Sequence, residues 1–349
     1  MTIATFAASG IAIQDNAARI LDQLCDHLGE HVAVTKTAGR ANLKTVIGDV
    51  DIALSPRRMD IDIRCPSSAA LFTIRSMVAE HLFLFSGEEP LDLSWADGSQ
   101  SGKVPNFREV TVVRAHNITP HMRRVTVATE DAAHFSHGGL HVRLLIPPKG
   151  RTPVWPQTAA DGRIQWPKGD DELVIRAYTI RNIDLGRGEM DIDFVVHDGD
   201  EVPGASWALN AQPGDRAGLM GPGGGDVPAA KNMVLAGDET ALPAIARIAA
   251  AMPADATLRI FLEVDGKDEE QPLPSRAAQE ITWLHRNGQP AGSTGILEKT
   301  LRDVVTKGDR SAYVWAACEQ SEARAIRNFM KTESGYDRDH FSIAAYWQR

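Results

Sequence analysis

A change of hydrophobic period near residue 229 most constrains what this chain can fold into. Downstream, apolar runs of strand length alternate with helical patterns: Asn232 to Ala236, a helix from Leu242 to Met252, Thr257 to Val264, Ile281 to His285, a helix from Ile296 to Val305, Ala312 to Ala317, a helix from Ser321 to Lys331, and His340 to Trp347. Such alternation predicts βαβ units and a parallel sheet. Upstream, short strands follow one another directly: Arg108 to Arg114, Met122 to Val127, Val142 to Ile146, Leu173 to Ile180 and Met190 to Val196. Their spacing predicts an antiparallel barrel. Before them, helical patterns from Asn16 to Leu28 and Ser67 to Phe85 flank alternating strands near Val32, Asn42, Asp51 and Met59. The expected organisation is an α+β domain over residues 1–100, an antiparallel β-barrel over 101–228 and an α/β parallel-sheet domain over 229–349, with Asp97 to Lys103 as a polar linker. A proline-rich loop from Pro147 to Asp171, carrying Trp155 and Trp166, interrupts the barrel pattern.

Composition narrows the function class. The 46 acidic residues outnumber the 37 basic ones, a net charge of -9 that argues against a general nucleic-acid binder. No apolar stretch approaches the ~20 residues of a membrane span, and the N-terminus lacks a basic signal-peptide region, so a cytoplasmic protein is expected. The 3 cysteines, Cys25, Cys65 and Cys318, are too few for a four-thiolate iron–sulfur cluster and too far apart in sequence to suggest a disulfide framework or a zinc knuckle. The histidines from His134 to His141 crowd a predicted turn, but no carboxylate or thiol completes a metal set, so no metal site is assigned.

Two short runs carry chemistry. At the end of an apolar strand, Arg176-Ala177-Tyr178-Thr179 offers a cation for a diphosphate, a ring for a flat heteroaromatic face and a hydroxyl for ring nitrogens. Downstream, Gly204-Ala205-Ser206-Trp207 pairs a glycine that allows close backbone approach with the amides of a helix start. Alone, the first run reads equally as a strand end and the second as a helix N-cap. In this order, ahead of a nucleotide-domain pattern, they read as a flavin site. The turn Gly237-Asp238-Glu239-Thr240 after the first parallel strand is placed to approach a nicotinamide nucleotide, although no Gly-x-Gly-x-x-Gly fingerprint is present. Arg324 and Arg327, three apart on one predicted helix, suit a 2′-phosphate and so NADPH over NADH, or else form a solvated face.

Further runs extend the pattern: Arg176 to Arg181, His197-Asp198-Gly199, Pro203 to Ala208, Pro213-Gly214-Asp215, Gly221 to Gly224, Gly237 to Ile245, Trp315 to Glu319, Arg324 to Arg327 and Tyr346-Trp347. From about residue 105 onward the chain resembles the siderophore-interacting protein family, relatives of ferredoxin reductase that act as FAD-dependent ferric-siderophore reductases. The first segment resembles a small domain of unassigned function, found alone or fused to iron-uptake enzymes. Cys318 departs from the family's usual Ala-Gly-Glu, and is read as either a cofactor contact or a buried spectator.

The resemblance implies FAD and NADPH or NADH as cofactors and a ferric siderophore as substrate. It places Arg176, Tyr178, Thr179, His197, Gly204, Ala205, Ser206 and Trp207 at the flavin, and Gly237, Asp238, Glu239, Thr240, Glu319, Arg324, Arg327 and Trp347 at the nucleotide or shielding the flavin. Arg143, Lys149, Arg151, Lys168 and Arg181, with Arg163, are candidates for a locally basic siderophore groove. No side chain is assigned as catalytic, since the cofactor carries the redox step. A ferredoxin-linked enzyme and a non-catalytic siderophore carrier remain as alternatives.

Overall fold

A computed structural model describes residues 6–29, 32–96, 102–196, 202–308 and 310–349. The chain divides into two compact units, Met1–Phe107 with Val154–Glu172, and Arg108–Pro153 with Leu173–Arg349. Of the expected linker, residues 97–101 lie outside the described residues, whereas Gly102–Lys103 forms a short strand.

In the first unit, a sheet of order β2-β3-β4-β5-β1-β6 is built from β1 (Phe6–Ile13), β2 (Ala33–Thr37), β3 (Arg40–Thr45), β4 (Gly48–Ser55), β5 (Arg58–Cys65) and β6 (Asp92–Trp95). Helix α1 (Ala17–Leu28) buries Ile20, Leu21, Leu24 and Leu28, the spacing of a single helical stripe. Helix α2 (Ser68–Ser86) starts where Ser67 Oγ accepts the Ala70 amide at 3.2 Å. It contradicts the expectation that no apolar stretch nears span length: its 19 residues satisfy length and composition, yet Ile74, Val78 and Leu82 sit in the unit's core. The segment from Val154 to Glu172 is not structureless. It contributes the pair β11 (Gln157–Thr158) and β12 (Ile164–Gln165), with β11 also pairing β7 (Gly102–Lys103). Trp95 Nε1 donates to the Asp161 carbonyl at 2.8 Å, Ser76 Oγ to the Gly162 carbonyl at 2.9 Å, and Arg163 lies 3.4 Å over the Phe83 ring. Gly162, at φ +90, sits where a side chain would press on Trp95 and Arg75.

The second unit begins with a closed barrel of order β10-β13-β14-β9-β8-β15, from β8 (Phe107–Thr119), β9 (Met122–Ala128), β10 (His141–Ile146), β13 (Val174–Asp184), β14 (Glu189–Val195) and β15 (Arg216–Gly223). The last of these went unread in the sequence because Gly221-Pro222-Gly223 reads as a breaker. It is the strand that closes the barrel, pairing with β10. Alternate residues Val125, Val127, Ile180, Ile192 and Phe194 fill the interior. Helix α3 (Pro203–Asn210) lies against the barrel wall, with Arg123 Nε donating to the Ala208 carbonyl at 2.7 Å.

The C-terminal sheet is wholly parallel in the order β18-β17-β16-β19-β20, from β16 (Asn232–Gly237), β17 (Thr257–Val264), β18 (Ala278–His285), β19 (Tyr313–Glu319) and β20 (Phe341–Trp347). The continuous apolar run of β16 is what a strand covered on both faces requires. Helix α4 (Leu242–Ala251) covers one face, and α5 (Ile296–Lys307) and α6 (Gln320–Thr332) the other.

Candidate functional site

On β13, Arg176 is exposed, and its Nη1 donates to the Ile175 carbonyl at 2.8 Å. Tyr178 is half-buried, with its ring 4.3 Å from that of Phe194, which in turn is 5.6 Å from Trp207. The tyrosine hydroxyl lies on Gly204, where a Cβ would sit 1.9 Å from it, so close approach and not turn geometry demands the glycine. The helix begins earlier than the sequence suggested. Val202 is the cap residue and offers no side-chain bond, Pro203 has no N–H, and the Ser206 amide is taken by the Val202 carbonyl at 2.9 Å, so Ser206 is not an N-cap. That leaves the first-turn amides of Gly204 and Ala205 without an intrahelical acceptor. A cleft of about 410 Å³ runs past this turn, lined among others by Pro147, Lys149, Arg151, Ser206, Trp207 and Arg216. An exposed guanidinium and uncapped first-turn amides fit a dinucleotide's diphosphate.

Thr179 is buried and bonded to a neighbouring strand. Its Oγ1 lies 3.0 Å from His141 Nδ1, and His141 Nε2 lies 2.9 Å from Tyr346 Oη. Neither His141 nor Tyr346 was singled out from the sequence as a site residue. Burial first, and the Arg247 charge second, hold His141 below its ordinary pKa. Arg247 donates to the carbonyls of Leu140, Ile180 and Phe135, so α4 is fastened to the barrel beside it. The neighbouring His134 is committed elsewhere, its Nε2 lying 2.7 Å from the Gly221 carbonyl.

At the carboxyl edge of the parallel sheet the chain's own carboxylates take first-turn amides of α5 and α6, whereas α4 starts at Ala241 with no side-chain cap. Asp238 is buried, accepting from the Thr240 amide at 2.9 Å and from Trp347 Nε1 at 2.7 Å, and burial pushes its pKa up. Glu319 caps α6 through the amides of Ser321 and Glu322, which holds its pKa down through hydrogen bonding. Glu322 in turn accepts the Glu298 amide at 2.9 Å in the first turn of α5. Glu239 is paired with buried Arg286 through both oxygens. Glu263 faces the same arginine at 3.7 Å, and burial raises it to about 7. Gly237 is a packing glycine, since a Cβ there would meet Ala241 and the Ala317 carbonyl. Cys318 is fully buried, and burial drives its thiol pKa up, as in a spectator.

The chain matches the siderophore-interacting FAD-binding domain over residues 111–226, the siderophore-interacting protein family over 230–349, and over 11–96 a domain described as an uncharacterized protein conserved in bacteria. It is 32% identical over 247 residues to ferric vibriobactin reductase ViuB of Vibrio cholerae, spanning 69% of this chain and 89% of that protein. The chain belongs to the siderophore-interacting protein family. Its barrel and parallel sheet resemble a siderophore utilization protein from T. fusca, at 36% identity and TM-score 0.61, covering 72% of this chain and 97% of that one. SipS from Aeromonas hydrophila is similar at 28% identity and TM-score 0.56, over 70% and 92% of the two chains. A ferredoxin reductase of carbazole 1,9a-dioxygenase, 15% identical with TM-score 0.50 over 69% of each chain, shares the fold.

In this siderophore-interacting protein the residues foreseen as a basic groove separate. Lys149 and Arg151 line the cleft, and Arg143 is exposed on β10 opposite Ala177 of β13. Lys168 and Arg163 belong to the first unit, where Arg163 pairs with Asp161 at 2.7 Å. Arg181 is half-buried beside Asp193, Arg124 and Asp191, its Nε has no partner, and burial lowers its pKa. The two helix arginines also part: Arg327 donates to the Ile343 carbonyl at 2.9 Å, while Arg324 is exposed. Trp347 bonds Asp238, so Tyr346 is the terminal aromatic that reaches the barrel through His141. His197 lies outside the described residues.

Proposed function

We propose that this chain is an FAD-dependent ferric-siderophore reductase taking its electrons from NADPH or NADH. The observation that carries the reading is the exposed Arg176 and the uncapped first turn of α3, joined by the contact of Tyr178 with Gly204, within the stretch that matches a siderophore-interacting FAD-binding domain. When bound, FAD supplies the conversion between a two-electron donor and one-electron iron chemistry. Arg176 with the Gly204 and Ala205 amides holds the diphosphate, Tyr178 lies against the ring system and Thr179 offers it a hydroxyl. Lys149 and Arg151 attract the anionic ferric complex along the cleft. Reduction to Fe(II) weakens the hold of hard oxygen ligands, so the metal leaves the siderophore without any ligand from the protein. The ferric vibriobactin reductase of Vibrio cholerae, aligned with most of its length, supports this substrate class, as does a ferric acinetobactin reductase of Acinetobacter baumannii, 32% identical over 51% of this chain and 62% of that protein.

A second donor, a ferredoxin-type protein, is favoured by the sheet edge. The carboxylates of Glu319 and Glu322 already accept first-turn amides of α6 and α5, where a nucleotide's phosphates could accept hydrogen bonds, and Arg327 is committed to backbone. An anaerobic absorbance titration of the purified protein with NADPH, then NADH, followed by a ferric siderophore and a ferrous trap, separates the readings. Bleaching of a yellow chromophore by nucleotide and its return with ferrous iron is expected. A chromophore that neither nucleotide bleaches assigns the electrons to a protein donor, and absence of any chromophore overturns the reductase.

A further inference from the structure

Behind Thr179, hydrogen-bonding groups from distant parts of the chain stand in line. His141 on β10 is the direct cross-strand partner of Thr179 on β13, and Tyr346 comes from β20, the last strand of the parallel sheet. The distances, 3.0 Å from Thr179 Oγ1 to Nδ1 and 2.9 Å from Nε2 to Tyr346 Oη, are those of ordinary hydrogen bonds. The imidazole is held tightly. A Cβ on Gly224, at φ +78, would lie 2.3 Å from its Cδ2, and the Tyr346 ring meets it edge-on at 5.2 Å. Tyr346 is half-buried and stacks edge-on with Trp315. A threonine needs none of this to offer one hydrogen bond to a bound ring.

Every member of the line both donates and accepts. With the ring neutral, the form that burial and then the Arg247 charge favour, His141 carries a single N–H. Only two consistent arrangements then exist. In one, Tyr346 donates to Nε2, Nδ1–H donates to Thr179, and Thr179 donates outward to an acceptor. In the other, all directions reverse and Thr179 accepts from a donor. Those states match a ring nitrogen without and with its hydrogen.

We propose that Thr179, His141 and Tyr346 form a proton wire serving the flavin nitrogen that faces Thr179, with His141 as its positioning and relay residue. This rests on the function proposed above. As electrons pass from the flavin to Fe(III), giving Fe(II), the ring N–H bond breaks and its proton goes to Thr179 Oγ1. The threonine's own proton passes to Nδ1, the Nε2 proton to Tyr346 Oη, and the tyrosine's proton to water. One proton leaves, and the three donors end in the opposite sense.

The test uses the FAD-loaded full chain and its Tyr346→Phe variant, which keeps the ring and loses only the hydroxyl. Each is reduced photochemically, so that no pyridine nucleotide enters, and reoxidised by ferric citrate in H2O and in D2O. The variant is expected to bind FAD within about twofold of the parent and to reoxidise on the order of 100-fold more slowly at saturating ferric citrate, the lower end for a positioned proton-transfer group. Its solvent isotope effect should differ from the parent's. The His141 ring nitrogens, followed by 15N NMR, should exchange tautomer between the oxidised and reduced loaded protein. An unchanged rate and isotope effect in Tyr346→Phe, or a single tautomer in both states, overturns the wire and leaves the line as a staple between strands. A parent protein that binds no FAD overturns the function and the wire together, whereas a yellow, reducible parent with an indifferent variant overturns the wire alone.

Discussion

The starts of α3 and α6 face opposite fates. Each presents first-turn amides. At α3 the cap residue is Val202, with no side-chain bond, and the cleft passes beside it. At α6 the Glu319 carboxylate takes the amides of Ser321 and Glu322, and one turn on, Glu322 takes the Glu298 amide of α5. A helix start with a carboxylate already on it has spent its partial positive charge, so the starts left receptive to an anion are those of α3 and of α4, whose cap residue Ala241 makes no side-chain bond. The contrast teaches that an anion site is made by withholding a cap, and that the parallel sheet stabilises itself with the groups a ligand would otherwise supply.

The largest effect is expected where the filled side is broken. Glu239→Ala would leave the buried Arg286 charge without its bidentate partner, with Glu263 at 3.7 Å remaining beside it, and cost on the order of 3–5 kcal/mol, read by urea unfolding. On the open side, Gly204→Ala drives a methyl into the Tyr178 hydroxyl. FAD affinity, measured by fluorescence titration, should fall roughly 10- to 100-fold, corresponding to an overpacking cost of about 1–3 kcal/mol, while Arg176→Ala should weaken FAD by a similar factor without a stability loss. Unaltered affinity in both variants would remove the anion role from the barrel.

Proton linkage sharpens the contrast further. The Glu263 carboxyl is raised from 4.5 to about 7, so the folded chain keeps a proton that the unfolded chain releases in that window. Stability therefore falls as pH climbs from about 4.5 to 7 and is level above, by roughly 3 kcal/mol from this group. Glu263→Gln should flatten most of the slope between pH 5.5 and 8 and raise stability at pH 8. Asp238 and Glu322, also raised by burial, would leave the remaining slope with the same sign. The smallest effect belongs to Glu319→Ala, which uncaps α6 at about 1 kcal/mol. If the α6 start then gains affinity for NADPH in the titration, the self-capping is what had closed it.

The legible part of the fold was the part written locally. The strand limits of β17, Thr257–Val264, follow directly from an apolar run, and α1 from a single buried stripe. β15 was hidden by its Gly-Pro-Gly end, and the hairpin in the proline-rich loop by having two-residue strands that only its partners define. Within the proposed site, Arg176, Tyr178 and Gly204 were singled out because their residue types state a chemistry, and the structure brings Tyr178 onto Gly204. The cap role of Glu319, the burial of Asp238 and the diversion of Arg327 to a backbone carbonyl were not.

By itself the sequence determined the barrel-then-parallel-sheet order, the family and the residues able to meet a diphosphate, because period and short motifs are properties of neighbours along the chain. Only the tertiary structure decided which of those residues are already spoken for and which strangers join them. Thr179 meets His141 across 38 residues and His141 meets Tyr346 across 205, and no local pattern encodes such a line, since hydrogen bonds form between groups brought close in space whatever their distance in sequence.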